Sequence, residues 1–79
     1  MARHLWKERI LADPKVHHGD PCVRGTRIPV AMIVGSLADG MSVEEVLREY
    51  PQLSEKDIRA ALEYAAEVMH HEVLIPLTT

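Results

Sequence analysis

From Val30 onward the apolar positions recur at helical spacing, with Val30, Ile33, Val34, Leu37 and Met41 on one face. Pro29 stands just before that run, where its fixed φ is tolerated, and Gly40 stands where a left-handed residue closes a helix. A first helix is therefore predicted over 30–39. Two further entrances follow the same physics. Ser42 precedes Glu45 by three residues, so its hydroxyl can accept from the Glu45 N–H while the carboxylate reaches back, and Met41 can pack on Val46. Ser54 and Asp57 repeat the arrangement with a less suited, shorter acid, and Leu53 stands to Ile58 as Met41 does to Val46. The second predicted helix covers 43–49 and stops before Tyr50-Pro51, because proline disfavours helical geometry in the residue ahead of it. The third covers 55–70, with Ile58, Ala61, Leu62, Ala65, Val68 and Met69 as a single apolar stripe.

The first 29 residues lack such a period. Leu5, Trp6, Ile10 and Leu11 offer a short apolar face, read as an arm that ends in a brief strand. Asp13-Pro14 and Gly19-Asp20-Pro21 are turn signals, and the residues from Cys22 to Ile28 flank Gly25 as a short hairpin or a pair of extended segments. The expected fold class is mainly α: an N-terminal extended segment or hairpin, then a three-helix, homeodomain-like or helix-turn-helix-like bundle. The chain divides as one domain over 1–79, with arm and hairpin at 1–29, the three-helix unit at 30–70 and a tail at 71–79. Val73-Leu74-Ile75-Pro76-Leu77 in that tail is apolar with nothing near it in sequence to bury it, so it reads as an interface segment.

Composition narrows the picture. A chain of 79 residues without Phe builds its core from small aliphatics, and at this size only about 60% of the unfolded surface is buried. A homodimer or higher oligomer is therefore expected. The single Cys22 excludes an intrachain disulfide and points to the cytoplasm, and no apolar run approaches the roughly 20 residues of a membrane span. The net charge of −3 conceals a split: residues 1–40 carry +2 and residues 41–79 carry −5. Such a chain can face phosphate with its first half and a basic protein with its second.

Catalysis and metal binding find little support. Cys22 has His17 and His18 nearby but no orienting third residue, and neither these nor His70 and His71 have zinc-ligand spacing. No cofactor motif is present; Gly25-Thr26-Arg27 is not part of a phosphate-binding P-loop. It is still the most informative short stretch, since a glycine beside a hydroxyl and a guanidinium can meet one phosphate. Arg24, Thr26 and Arg27 are the candidate nucleic-acid contacts, with Lys56 and Arg59 secondary because Glu55, Asp57, Glu63 and Glu67 on the same helix repel DNA. Glu44, Glu45, Glu63 and Glu67, with Leu74 and Ile75 as apolar anchors, are the candidate surface for a protein partner.

Four stretches then bring a family into view: Gly19-Asp20-Pro21-Cys22-Val23-Arg24-Gly25-Thr26-Arg27-Ile28-Pro29-Val30, Leu37 to Leu47, Tyr50-Pro51-Gln52-Leu53-Ser54, and Asp57 to Ala65. Together they resemble the DUF433 family over about residues 10–68, with Asp20 and Cys22 departing from its commoner residues and a short tail after Met69. The resemblance implies the antitoxin of a type II toxin–antitoxin pair, a homeodomain-like fold and a PIN-like ribonuclease toxin encoded by the neighbouring gene, with possible control of operator DNA. The rival readings are a DNA-binding regulator without a toxin and, from another class, a small oligomeric scaffold or a hydrolase acting through Cys22 and histidines.

Overall fold

The computed structural model describes residues 5–15 and 19–71. Six elements follow one another: α1 (Leu5–Arg9), β1 (Ile10–Ala12), β2 (Pro21–Val23), α2 (Val30–Ala38), α3 (Val43–Glu49) and α4 (Glu55–His71). The chain is thus mainly helical, with one short antiparallel pair near its N-terminus. Among the described residues no helix is long and apolar enough to cross a membrane.

The helix boundaries follow the local chemistry. α2 starts after Pro29, whose φ of −69° and ψ of 147° hold it extended. At its other end the Gly40 N–H donates to Leu37 O and the Met41 N–H to Ser36 O, a Schellman closure that requires the positive φ of 102° at Gly40. α3 begins with both halves of a capping box: the Glu45 N–H donates to Ser42 Oγ at 3.1 Å, and the Ser42 N–H donates to Glu45 Oε1 at 2.8 Å. α4 begins the same way. The Ser54 N–H donates to Asp57 Oδ2 at 2.9 Å and the Asp57 N–H to Ser54 Oγ at 3.3 Å, so the shorter acid closes the box fully.

Two expectations need correction. The N-terminal arm is not wholly extended: Leu5–Arg9 form one turn of helix, packed through Leu5 and Trp6 on the core. A turn this short has no persistence alone, and what fixes it is its seat on α4. Trp6 meets Tyr64 edge to face, with ring centroids 5.1 Å apart, and the Trp6 backbone N–H donates to Glu63 Oε1 at 3.2 Å. Second, the hairpin expected around Gly25 is present only as the Cys22–Pro29 bridge and the Val23–Ile28 hydrogen bond, and the strand Pro21–Val23 takes Ile10–Ala12 as its main partner. The register sets Ile10 opposite Val23, both buried, and Leu11 opposite Cys22, of which only Cys22 is buried.

The core is thin. Ile33, Val46 and Ile58 are its largest fully buried side chains, and Ala60 and Ala61 let α4 lie close against its neighbours. The apolar stripe expected along α4 therefore divides: Ile58 and Ala61 are buried, while Leu62, Val68 and Met69 reach solvent.

The two capping boxes differ in depth, because Asp57 is 9% exposed whereas Glu45 lies on the surface. Asp57→Ala removes a buried cap and an ion pair, and about 2 kcal/mol of stability should go with it. Glu45→Ala should cost less. Urea denaturation of both variants checks the order, and equal losses would show that burial adds nothing to the second box.

Candidate functional site

The residues from Val23 to Ile28 form a closed loop built by their own sequence. The Thr26 N–H donates to Val23 O at 3.0 Å across a turn whose third residue, Gly25, has φ of 80°, a conformation that costs a side-chain-bearing residue strain. The Thr26 hydroxyl donates to Val23 O at 2.8 Å and accepts from the Ile28 N–H at 3.0 Å. The Val23 N–H donates to Ile28 O at 3.0 Å, and Cys22 and Pro29 bridge the base of the loop. Both hydrogen-bonding faces of Thr26 are therefore engaged within the loop. The hydroxyl singled out as a phosphate contact holds the turn that displays Arg24 and Arg27.

Both arginines are exposed. Arg24 is fastened to the end of α1: its backbone N–H donates to Arg9 O at 2.6 Å and its Nε donates to Glu8 O at 3.0 Å. This satisfies carbonyls that the one-turn helix leaves without intrahelical partners. A cation at a helix C-terminus also suits the helix dipole.

Beside Arg24 lies a shallow cleft of about 190 Å³ lined by Glu8, Arg9, Arg24 and Asp57. Arg9 Nη1 donates to Asp57 Oδ1 at 2.9 Å, linking α1 to the cap of α4 across 48 residues of chain. Burial pushes the Asp57 carboxyl pKa up, but hydrogen bonds from the Ser54 backbone, Arg9 and the Ser54 hydroxyl, with the Arg9 charge, outweigh it and hold the pKa below the ordinary aspartate value. Glu45 is also held low, by the Ser42 backbone N–H first and the Ser42 hydroxyl second.

The remaining candidates are spread over several faces. Lys56 and Arg59 are exposed on the first two turns of α4, adjoining Asp57 in sequence but not part of its ion pair. Glu44 and Glu45 are exposed at the start of α3, while Glu63 and Glu67 are half-buried on α4. Leu74 and Ile75 lie outside the described residues, as do His17 and His18. Cys22 is buried, its thiol pushed up first by burial and then by the Asp20 charge, so it is poorly suited to nucleophilic chemistry. No group of three or more potential metal ligands occurs among the described residues. Sequence reasoning gave no site role to Arg9 and Trp6, because nothing local signals a partner some fifty residues away.

A short strand pair, a clamped loop, a one-turn N-terminal helix and a capped helical pair make a small, mainly helical domain. The family model for a protein of unknown function, DUF433, matches residues 10–65, and the chain belongs to that family. It is 42% identical over 59 residues to the uncharacterized protein y4eO of Sinorhizobium fredii (strain NBRC 101917 / NGR234), a match that takes in 75% of this chain and 27% of that protein. The chain thus spans about a quarter of that curated relative. A crystal structure of a DUF433 member protein from Anabaena variabilis ATCC 29413 has the same fold, with a TM-score of 0.76 and 31% identity over 85% of this chain and 66% of that one.

The engaged hydroxyl makes a testable distinction. Thr26→Val leaves the buried Ile28 N–H without its partner, which should cost about 1–3 kcal/mol in urea denaturation, while Thr26→Ser should retain most of the stability. A Thr26→Val chain as stable as the parent would show that the hydroxyl is not a structural clamp.

The Asp57 carboxyl gives a second. Its folded pKa is lowered, so its contribution is present above the unfolded value of about 4 and fades as pH falls through the folded one. Thermal melts of the parent should lose stability below about pH 4 more steeply than those of Asp57→Asn, which carries no titrating group there. Parallel acid limbs would contradict the assignment.

Proposed function

We propose that this chain is a non-enzymatic antitoxin that neutralises a PIN-like ribonuclease toxin by direct binding and contacts the operator DNA of its own genes. The observation that supports the reading is the acidic charge on α3 and α4, set apart from the two arginines of the clamped loop. Glu44 and Glu45 open α3, and Glu63 and Glu67 edge α4, whereas Arg24 and Arg27 project from the clamped loop. A ribonuclease holds RNA phosphates against basic residues, and an acidic partner surface competes for the same positions. Charge complementarity of this kind speeds encounter more than it deepens affinity. The apolar tail residues Leu74 and Ile75 then supply the anchors.

DNA binding without a toxin is the second reading, and α3 and α4 favour it. Two helices joined through Tyr50–Ser54 have the order of a helix-turn-helix, with Lys56 and Arg59 exposed at the start of the second. Contact through the loop uses the Arg24 guanidinium N–H groups beyond Nε, together with Arg27. Such contacts meet phosphate and carry no base readout.

Co-expression with the neighbouring small protein, followed by co-purification and an RNA-cleavage assay, separates the readings. Glu45 caps α3 and Glu63 holds the Trp6 backbone N–H, so Glu44 is the acid to change. Glu44→Lys should slow complex formation in a salt-dependent way, and Leu74→Ala with Ile75→Ala should speed dissociation. A neighbour that neither binds nor is inhibited overturns the antitoxin reading. The DNA reading then requires that Arg24→Ala with Arg27→Ala reduce the salt slope of operator binding by about two contacts.

A further inference from the structure

The outer side of α4 carries an apolar line that the described residues leave uncovered. Leu62 is 42% exposed and Met69 is 67% exposed, and with the half-buried Ala66 between them they follow a four-then-three spacing along one face. Arg59 extends the same spacing toward the start of the helix. A depression of about 310 Å³ lies on this face, lined by Arg59, Leu62, Glu63 and Ala66. Those four residues stand at i, i+3, i+4 and i+7, the set that forms the hole for one side chain of a facing helix. Ala66 keeps one wall low, and the hole has an apolar floor with one positive and one negative rim.

The residue that fits such a hole is on the same face. We propose that the outer face of α4 is a self-complementary interface on which a second copy of this chain docks antiparallel, each Leu62 seated among Arg59, Leu62, Glu63 and Ala66 of the other. Charge sets the direction. With Leu62 at the two-fold axis, antiparallel helices bring Arg59 of each chain within reach of Glu63 of the other, whereas parallel helices in register set Arg59 beside Arg59. Opposed helix dipoles favour the same direction. Glu63 Oε1 accepts from the Trp6 backbone N–H at 3.2 Å, which leaves its second oxygen to receive a guanidinium. The interface is isologous and closes on itself as a dimer.

This inference is independent of the antitoxin reading, since its test contains no toxin and no DNA. Sedimentation equilibrium of the full chain should show a concentration-dependent dimer. Leu62→Asp sets a carboxylate into an apolar hole and should weaken association by more than about tenfold, with the circular dichroism melt of the monomer retained. Arg59→Glu and Glu63→Arg each place like charges across the axis and should each be monomeric at concentrations where the parent is dimeric. Mixed in equal amounts they should associate, because both contacts across the axis are then between opposite charges. Glu63→Arg also removes the acceptor of the Trp6 backbone N–H, so its circular dichroism spectrum is read beside its mass, and recovery of association on mixing separates the lost contact from lost folding. A parent chain that stays monomeric overturns the proposal. So does a dimer that ignores Leu62→Asp, or a charge-swapped pair that fails to associate when mixed; either result moves the interface to another surface.

Discussion

The carboxyl of Asp57 is where the two ends of this sequence meet. One oxygen takes the N–H of Ser54 and so fixes the first turn of the longest helix; the other takes Arg9 and so fixes the end of the shortest. A buried carboxylate would be costly alone, and it is stable because cap and cation satisfy it together. The capping acid also lies at the positive end of the α4 dipole, where negative charge is favoured. Removing the carboxylate thus affects helix initiation and docking of the N-terminal segment at once. Two energetically modest contacts become cooperative because they share a residue.

That coupling matters because the core has little to spare. Ile33, Val46 and Ile58 are its largest fully enclosed side chains, and alanines fill the contact along α4. A domain of this size gains too little from apolar burial to hold a loose N-terminus by hydrophobic contact alone. The remedy is a chain of directional contacts on α1: Trp6 against Tyr64, the Trp6 N–H on Glu63, Arg9 on Asp57 and Arg24 on the carbonyl of Glu8. Each is small. Together they secure a single turn of helix that lies before the first residue of the family match, which begins at residue 10.

What could be read from the sequence was whatever is encoded locally. α2, α3 and α4 were legible because their signals lie within a few residues: Pro29 and Gly40, Ser42 with Glu45, and Ser54 with Asp57. α1 was not, since its five residues carry no period and its helical form depends on Tyr64, Glu63 and Asp57 far along the chain. The main strand partner of Pro21–Val23 was missed for the same reason: turn residues show where the chain bends back, as it does from Cys22 to Pro29, and not which earlier segment it also meets. On α4, residue type alone could not separate Ile58 from Leu62. Both are large aliphatics at helical spacing, and only the position of neighbouring elements decides that one is enclosed and the other faces water.

The Gly-Thr-Arg-Ile-Pro block shows how a motif that resembles chemistry can be architecture that serves binding. Gly25 supplies the positive φ, the Thr26 hydroxyl closes the turn from within, Ile28 inserts into the core and Pro29 launches α2. Four of the five residues are thereby accounted for by folding. Arg27 is the one whose side chain faces outward, and Arg24 just ahead of the block is exposed too, with one nitrogen tied to α1. A stiff loop presents charged groups with less entropy to lose on association than a mobile one. The clamp therefore fixes where two guanidinium groups emerge, and the residues between and beside them set the geometry in which the proposed anion contact would be made.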